Sequence, residues 1–130
     1  MADPFLQVRQ QAAATLAAAE RQHTKWGEAR RRKPVRQDEC KLLLAELLSS
    51  LEAVEADLAD LEEVLAVVER NRAKFPHLDN TELTSRKSFV IASRRVTLSI
   101  REDLSTHAPK SARVAGSRRS SGGTEREGLL

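Results

Sequence analysis

The 130 residues are 40% hydrophobic, 32% charged and only 3% aromatic, enough for one small domain and too few for a large enzyme. Phe5, Trp26, Phe75 and Phe89 are the aromatic residues, so any core is aliphatic, and abundant Ala, Leu, Glu and Arg favour helix over sheet. The net charge of +3 conceals an uneven distribution, because residues 38–73 hold ten acidic and three basic residues, a net of −7, and the remainder carries +10; such asymmetry bears on partner choice rather than on fold.

Asp3-Pro4 is a helix start: a carboxylate can cap free amides, and proline suits the first helical position. Phe5, Val8, Ala12, Leu16, Ala19, His23 and Trp26 then recur at steps of three and four, one face of a helix. Gly27 and the run Arg30-Arg31-Arg32-Lys33-Pro34 are expected to end it, since like charges repel and the residue before proline disfavours helical geometry.

The second segment is more regular. Cys40, Leu44, Leu47, Leu51, Val54, Leu58, Leu61, Leu65 and Val68 alternate steps of four and three, a heptad seam on a helix predicted from about Gln37 to Ala73. Leu43, Leu48 and Val64 are expected to widen the stripe, which favours an intramolecular bundle over a two-stranded coiled coil. Cys40 is the only cysteine, which excludes an internal disulfide framework and points to a reducing, cytosolic compartment.

Phe75-Pro76 breaks the chain, and Asp79 with Glu82 predicts a capping box with Leu78 and Leu83 as its hydrophobic staple. A third helix follows, its expected face running through Leu83, Phe89, Val90, Val96, Ile100 and Leu104, with Ser93 a polar interruption. Beyond His107 the composition turns to Pro, Ser, Gly and Arg without apolar periodicity and reads as a disordered tail. The expected fold is therefore all-α, an antiparallel up-down-up three-helix bundle over residues 3–105 with a Ser/Gly/Arg-rich tail over 106–130.

Catalytic chemistry has no foothold here. His23, His77 and His107 are far apart and none pairs with Cys40 at zinc-site spacing. The five glycines form no phosphate or dinucleotide loop, and Glu62-Glu63 reads as a solvated acidic face rather than a carboxylate pair. No enzyme, cofactor or metal is expected. The apolar start of a signal peptide is missing, and the longest apolar run, Val64 to Val68, is five residues against the ~20 that span a bilayer.

Several strings stand out together: Asp3-Pro4-Phe5, Val8 and Trp26, then Glu55-Ala56-Asp57-Leu58-Ala59-Asp60-Leu61-Glu62-Glu63, Val68-Glu69-Arg70-Asn71, Lys74-Phe75, Thr81-Glu82-Leu83, Arg86-Lys87, Phe89, Arg94 and Val96. In this order and spacing the chain resembles the N-terminal domain of the syntaxin-6 and syntaxin-10 subfamily of target-membrane SNARE proteins, over about residues 3–104. The resemblance implies a three-helix bundle on proteins acting in vesicle transport between endosomes and the trans-Golgi network, at the cytosolic face of those membranes. Its implied partners are SNARE proteins and Golgi tethering-complex subunits, with no small-molecule substrate.

Two departures qualify what is implied. Ala56 stands where the family has tryptophan, so a contact made by that indole is lost. No later heptad block, central glutamine or membrane anchor follows before Leu130, so this chain alone would not drive fusion. It is expected to be either the N-terminal piece of a longer SNARE or a short form that competes for tethers, and its low-complexity end favours the short form. Membrane association would then be indirect or through the missing anchor.

Asp57, Asp60, Glu62, Glu63, Arg86, Lys87 and Arg94 are the candidate partner-binding residues, read as exposed side chains beside the seams. Helix-to-helix salt bridges are the competing role for the same residues. Asn71, Lys74, Phe75, Asp79 and Glu82 are expected to fix the second turn. The alternative function is a basic module binding nucleic acid or anionic lipid through residues 30–36 and the tail, although nucleic acid is disfavoured by the absence of aromatic residues for base stacking. Self-association through the seam is a third reading.

Overall fold

A computed structural model describes residues 3–107 of the chain. Three helices account for most of them: α1 (Pro4–Arg31), α2 (Gln37–Arg70) and α3 (Asn80–His107), with a single 3-10 turn at Arg72–Lys74. The described residues contain no strand. Of the expected tail, Thr106 and His107 are the last residues of α3, and the rest lies outside the described residues.

The helix starts follow their sequence signals. Asp3 caps α1, its Oδ1 accepting from the Phe5 amide at 3.0 Å, with Pro4 in the first turn. Gly27 does not end the helix; α1 runs one turn past it to Arg31, where the basic run and Pro34 stop it. α2 ends at Arg70, and Asn71 closes it by donating from Nδ2 to the Val67 carbonyl at 3.0 Å. The continuation expected to Ala73 is replaced by the tighter 3-10 turn.

The capping box before α3 forms by half. Asp79 Oδ1 accepts from the Glu82 amide at 2.8 Å, but the Glu82 carboxylate turns to Arg86, whose Nε donates to its Oε2 at 2.7 Å. Leu78 and Leu83, the expected staple, are both buried. The turn is further tied by Arg72, which donates to the Leu78 carbonyl at 2.8 Å and to Asn80 Oδ1 at 3.1 Å.

Packing divides at Leu98: the helices up to Thr97 make one compact unit, and the last turns of α3 belong to a second. In the first unit α1 and α2 lie against each other across the short connection at residues 32–36, which makes them antiparallel. Glu62 pairs with Arg94 and Glu69 with Lys87, so a step along α2 is a step back along α3. Asp3 meets Arg86 and Arg9 lies over the Phe89 ring, so α1 and α3 start side by side, giving up-down-up order.

All nine seam residues of α2, Cys40 through Val68, are buried. Five of them, Val54, Leu58, Leu61, Leu65 and Val68, meet Phe5 from α1, Leu78 before α3 and Leu83 and Val90 from α3 in one largely aliphatic cluster, with Val8, Leu16, Phe75 and Phe89 packed on its margin. Each fully buried side chain of this kind contributes about 1.5–3 kcal/mol, so the cluster dominates the stability of this unit. Leu43 and Leu48 are half-buried as the wider stripe requires, whereas Val64 is exposed and does not belong to it. In the second unit Ile100 and Leu104 are buried.

The core face of α3 differs from its expected composition. Leu83, Arg86, Val90, Ser93, Thr97, Ile100 and Leu104 are the buried positions, again in steps of three and four. Phe89 and Val96, taken for core because they are apolar, are half-buried, and Arg86 and Thr97 occupy the seam instead. Both polar residues are satisfied locally, Thr97 by donating its hydroxyl to the Arg94 carbonyl at 2.9 Å, so the geometric repeat prevails over residue polarity.

Candidate interaction surface

The seven candidate residues fall into two groups. Arg86 is 4% exposed and therefore not a surface residue. Its Nη2 donates to Asp3 Oδ2 at 2.6 Å, its Nε to Glu82, and its guanidinium lies 4.6 Å from the centroid of the Phe5 ring. Burial alone would lower the Arg86 pKa, but the bonds to Glu82 and Asp3 outweigh it and hold the group above its ordinary value. Burial likewise works to raise the Asp3 carboxyl, and the hydrogen bonds it accepts from Arg86 and from the Phe5 amide overcome this and leave it below the ordinary value.

Glu62, Lys87 and Arg94 are also engaged within the bundle. Arg94 grips Glu62 through Nε and Nη2 at 2.9 and 2.8 Å, a two-point geometry that adds direction to charge. That bond holds the Glu62 carboxyl below its usual range and raises Arg94. Lys87 pairs with Glu69 of α2. These four residues join α3 to α1 and α2, the role that competed with partner binding.

Asp60 and Glu63 remain on the outer surface of α2, whereas Asp57, expected to be exposed, does not. Asp57 is half-buried and its Oδ2 is buried without a hydrogen-bond partner, and burial, reinforced by the neighbouring Asp60 charge, pushes its carboxyl up. Asp60 and Glu63 are exposed and rim an open groove of about 420 Å3, whose apolar lining is Val64, Val67, Val68 and Phe75. Val64 is 41% and Val67 37% exposed. The groove thus combines an apolar floor with an acidic edge.

Val64 and Val67 were missed as surface residues, yet a signal was present. One helical stripe cannot bury all five members of the run Val64 to Val68, so some must face outward. The other marked residues take structural places: Trp26 is buried, half-buried His23 stacks on it with centroids 6.2 Å apart, and Cys40 is buried. Among the described residues no group of three or more metal-ligating side chains gathers, and no helix is long and apolar enough to cross a membrane.

Three long amphipathic helices, tied by internal ion pairs and keeping an acid-edged apolar groove on the middle one, make an all-α bundle domain. A match to the family described as Syntaxin 6/10/61, N-terminal, spans residues 3–101. Syntaxin-6 from Homo sapiens is 33% identical over 107 residues, covering 82% of this chain and 42% of the relative. Syntaxin-6 from Gallus gallus is 33% identical over 106 residues, 81% of this chain and 41% of the relative, and that from Mus musculus 31% over the same length and shares. The chain belongs to the Syntaxin 6/10/61 N-terminal family, a group of SNARE proteins that are not enzymes. It spans about two fifths of the length of the curated relatives it matches.

Proposed function

We propose that the chain is a non-catalytic interaction module of the SNARE system, acting in vesicle transport between endosomes and the trans-Golgi network. It binds SNARE proteins or subunits of Golgi tethering complexes, or regulates SNARE assembly, at the cytosolic face of those membranes. The groove at Asp60, Glu63, Val64, Val67 and Phe75 carries this reading, because the bundle leaves that apolar surface uncovered. Family membership supports the SNARE setting.

The chemistry of the groove selects its occupant. Apolar side chains entering between Val64, Val67 and Phe75 would supply the desolvated centre of an interface, and Lys or Arg beside them would meet Asp60 and Glu63. Partner capture by the 130-residue chain from detergent-solubilised cells at physiological salt, with nuclease treatment and mass-spectrometric identification, tests the reading. Tether subunits or SNAREs are expected to survive nuclease and to fall by about tenfold or more with V64S/V67S, which removes the apolar centre. Recovery of nuclease-sensitive RNA-binding proteins alone would overturn it.

A further inference from the structure

The tip of the α1–α2 hairpin presents a second surface, separate from the groove. Residues 30–36 read Arg-Arg-Arg-Lys-Pro-Val-Arg, five cations in seven positions. α1 ends at Arg31 and α2 begins at Gln37, so the cationic connection is fixed between two helix ends. Arg31, Arg32, Lys33 and Arg36 are exposed, whereas Arg30 is half-buried with its guanidinium 5.1 Å from the Trp26 ring centroid.

The nearest acidic side chains of α2, Asp38 and Glu39, leave most of these cations unpaired among the described residues. Arg32 reaches Glu39 at 3.5 Å with side chains 54% and 39% exposed, and such a pair near solvent is worth little. Among the described residues Arg31, Lys33 and Arg36 make no ion pair. Two apolar side chains stand uncovered at the same end, Val35 within the connection at 40% exposure and Leu42 in the second turn of α2 at 62%.

Cations with short apolar prongs among them match the boundary of an anionic bilayer. Each Lys or Arg close to such a surface strengthens binding by about fivefold, and small apolar side chains enter the headgroup region without a spanning helix. Nucleic acid fits less well. The nearest aromatic ring, Trp26, is buried and unavailable for base stacking. Asp38, Glu39 and Glu46 begin the acidic flank of α2 immediately behind the tip and would repel a polyanion laid along it. A flat anionic surface touching only the tip avoids that flank.

We propose that the α1–α2 tip docks end-on to an anionic phospholipid bilayer, with Arg31, Arg32, Lys33 and Arg36 among the headgroups and Val35 in the interfacial layer. This contact is independent of the α2 groove and leaves Asp60 and Glu63 clear of the negative surface.

Flotation of the 130-residue chain with vesicles of phosphatidylcholine, alone or containing about 30% phosphatidylserine, tests the assignment. Binding is expected only to the anionic vesicles and weakens as salt rises. The R31S/R32S/K33S/R36S variant, whose altered side chains are all exposed, should keep its helical circular dichroism and lose at least about a hundredfold in binding. V35S should weaken binding with unchanged salt dependence, and K110S/R113S/R118S/R119S should still bind anionic vesicles selectively. Flotation of the quadruple tip variant as well as wild type, or its loss only in the K110S/R113S/R118S/R119S variant, would overturn the assignment. So would tight binding to a single-stranded RNA by a chain that fails to float with anionic vesicles.

Discussion

Arg86 sits at a seam position of α3 with its stem on Phe5 and its guanidinium between Asp3 and Glu82. Removing it takes away packing area and leaves two carboxylates facing one another without a cation. Arg86→Ala is therefore expected to destabilise the chain by about 2–4 kcal/mol. Arg86→Lys should cost about 1–2 kcal/mol, because one ammonium cannot reproduce the planar fork. Urea unfolding at unchanged slope would measure both, and a midpoint unmoved by Arg86→Ala would contradict the role given to this residue.

The carboxylates divide by sign. Glu62, bonded to Arg94, and Asp3, where the Arg86 bond and Phe5 amide outweigh burial, lie below their ordinary values of 4.5 and 3.8. Their stabilisation is present above those unfolded values and is lost as pH falls through the lower folded ones. Asp57 is raised by burial and then by Asp60. Its ionisation opposes folding once pH exceeds the folded value, and the penalty vanishes below the unfolded value of 3.8. Asp57→Asn should accordingly raise the unfolding midpoint at pH 7, with the gain disappearing below about pH 4; a lower midpoint at pH 7 would refute this reading of Asp57.

At the scale of the helices, α2 was readable almost residue for residue, because all nine apolar seam positions are buried. The α3 seam was less legible. An apolar-only pattern passes over Arg86 and Thr97, whose polar atoms find partners inside the bundle, and it recruits Phe89, which sits at the margin beneath the Arg9 guanidinium at 4.9 Å. Gly27, expected with the basic run to end α1, has no positive φ and lies inside α1, because a glycine stops a helix only where the backbone turns left-handed. A Cβ at that position would meet only the flexible end of Arg31, at 3.1 Å. Gly27→Ala should thus stabilise the chain by roughly 0.5–1 kcal/mol, raising its melting temperature in a calorimetric scan; a fall would show that Arg31 cannot move aside.

Across the whole molecule, charge separates internal cohesion from surfaces left open. Four of the seven candidates join α3 to its neighbours, whereas Asp60 and Glu63 edge the groove and Asp57 lies on the same helix. Sequence alone could bring these charges to notice but not divide them, because an exposed carboxylate and one gripped across a helix boundary have the same local pattern. Position along the neighbouring helix decides, as when Arg94 falls opposite Glu62. The uneven charge visible in the sequence maps onto this division, with the acidic groove on α2 and the cationic tip at residues 31–36.

In the proposed function the α2 groove, not the ion-paired network, meets the SNARE or tether partner. Capture of those partners by D60N/E63Q and by E62Q/R94Q, each compared with wild type, tests it most directly. The groove-edge variant is expected to fold with wild-type stability and lose several-fold in capture. The ion-pair variant should capture within about twofold of wild type while its urea midpoint falls. Wild-type capture by D60N/E63Q together with abolished capture by a folded E62Q/R94Q would contradict the account.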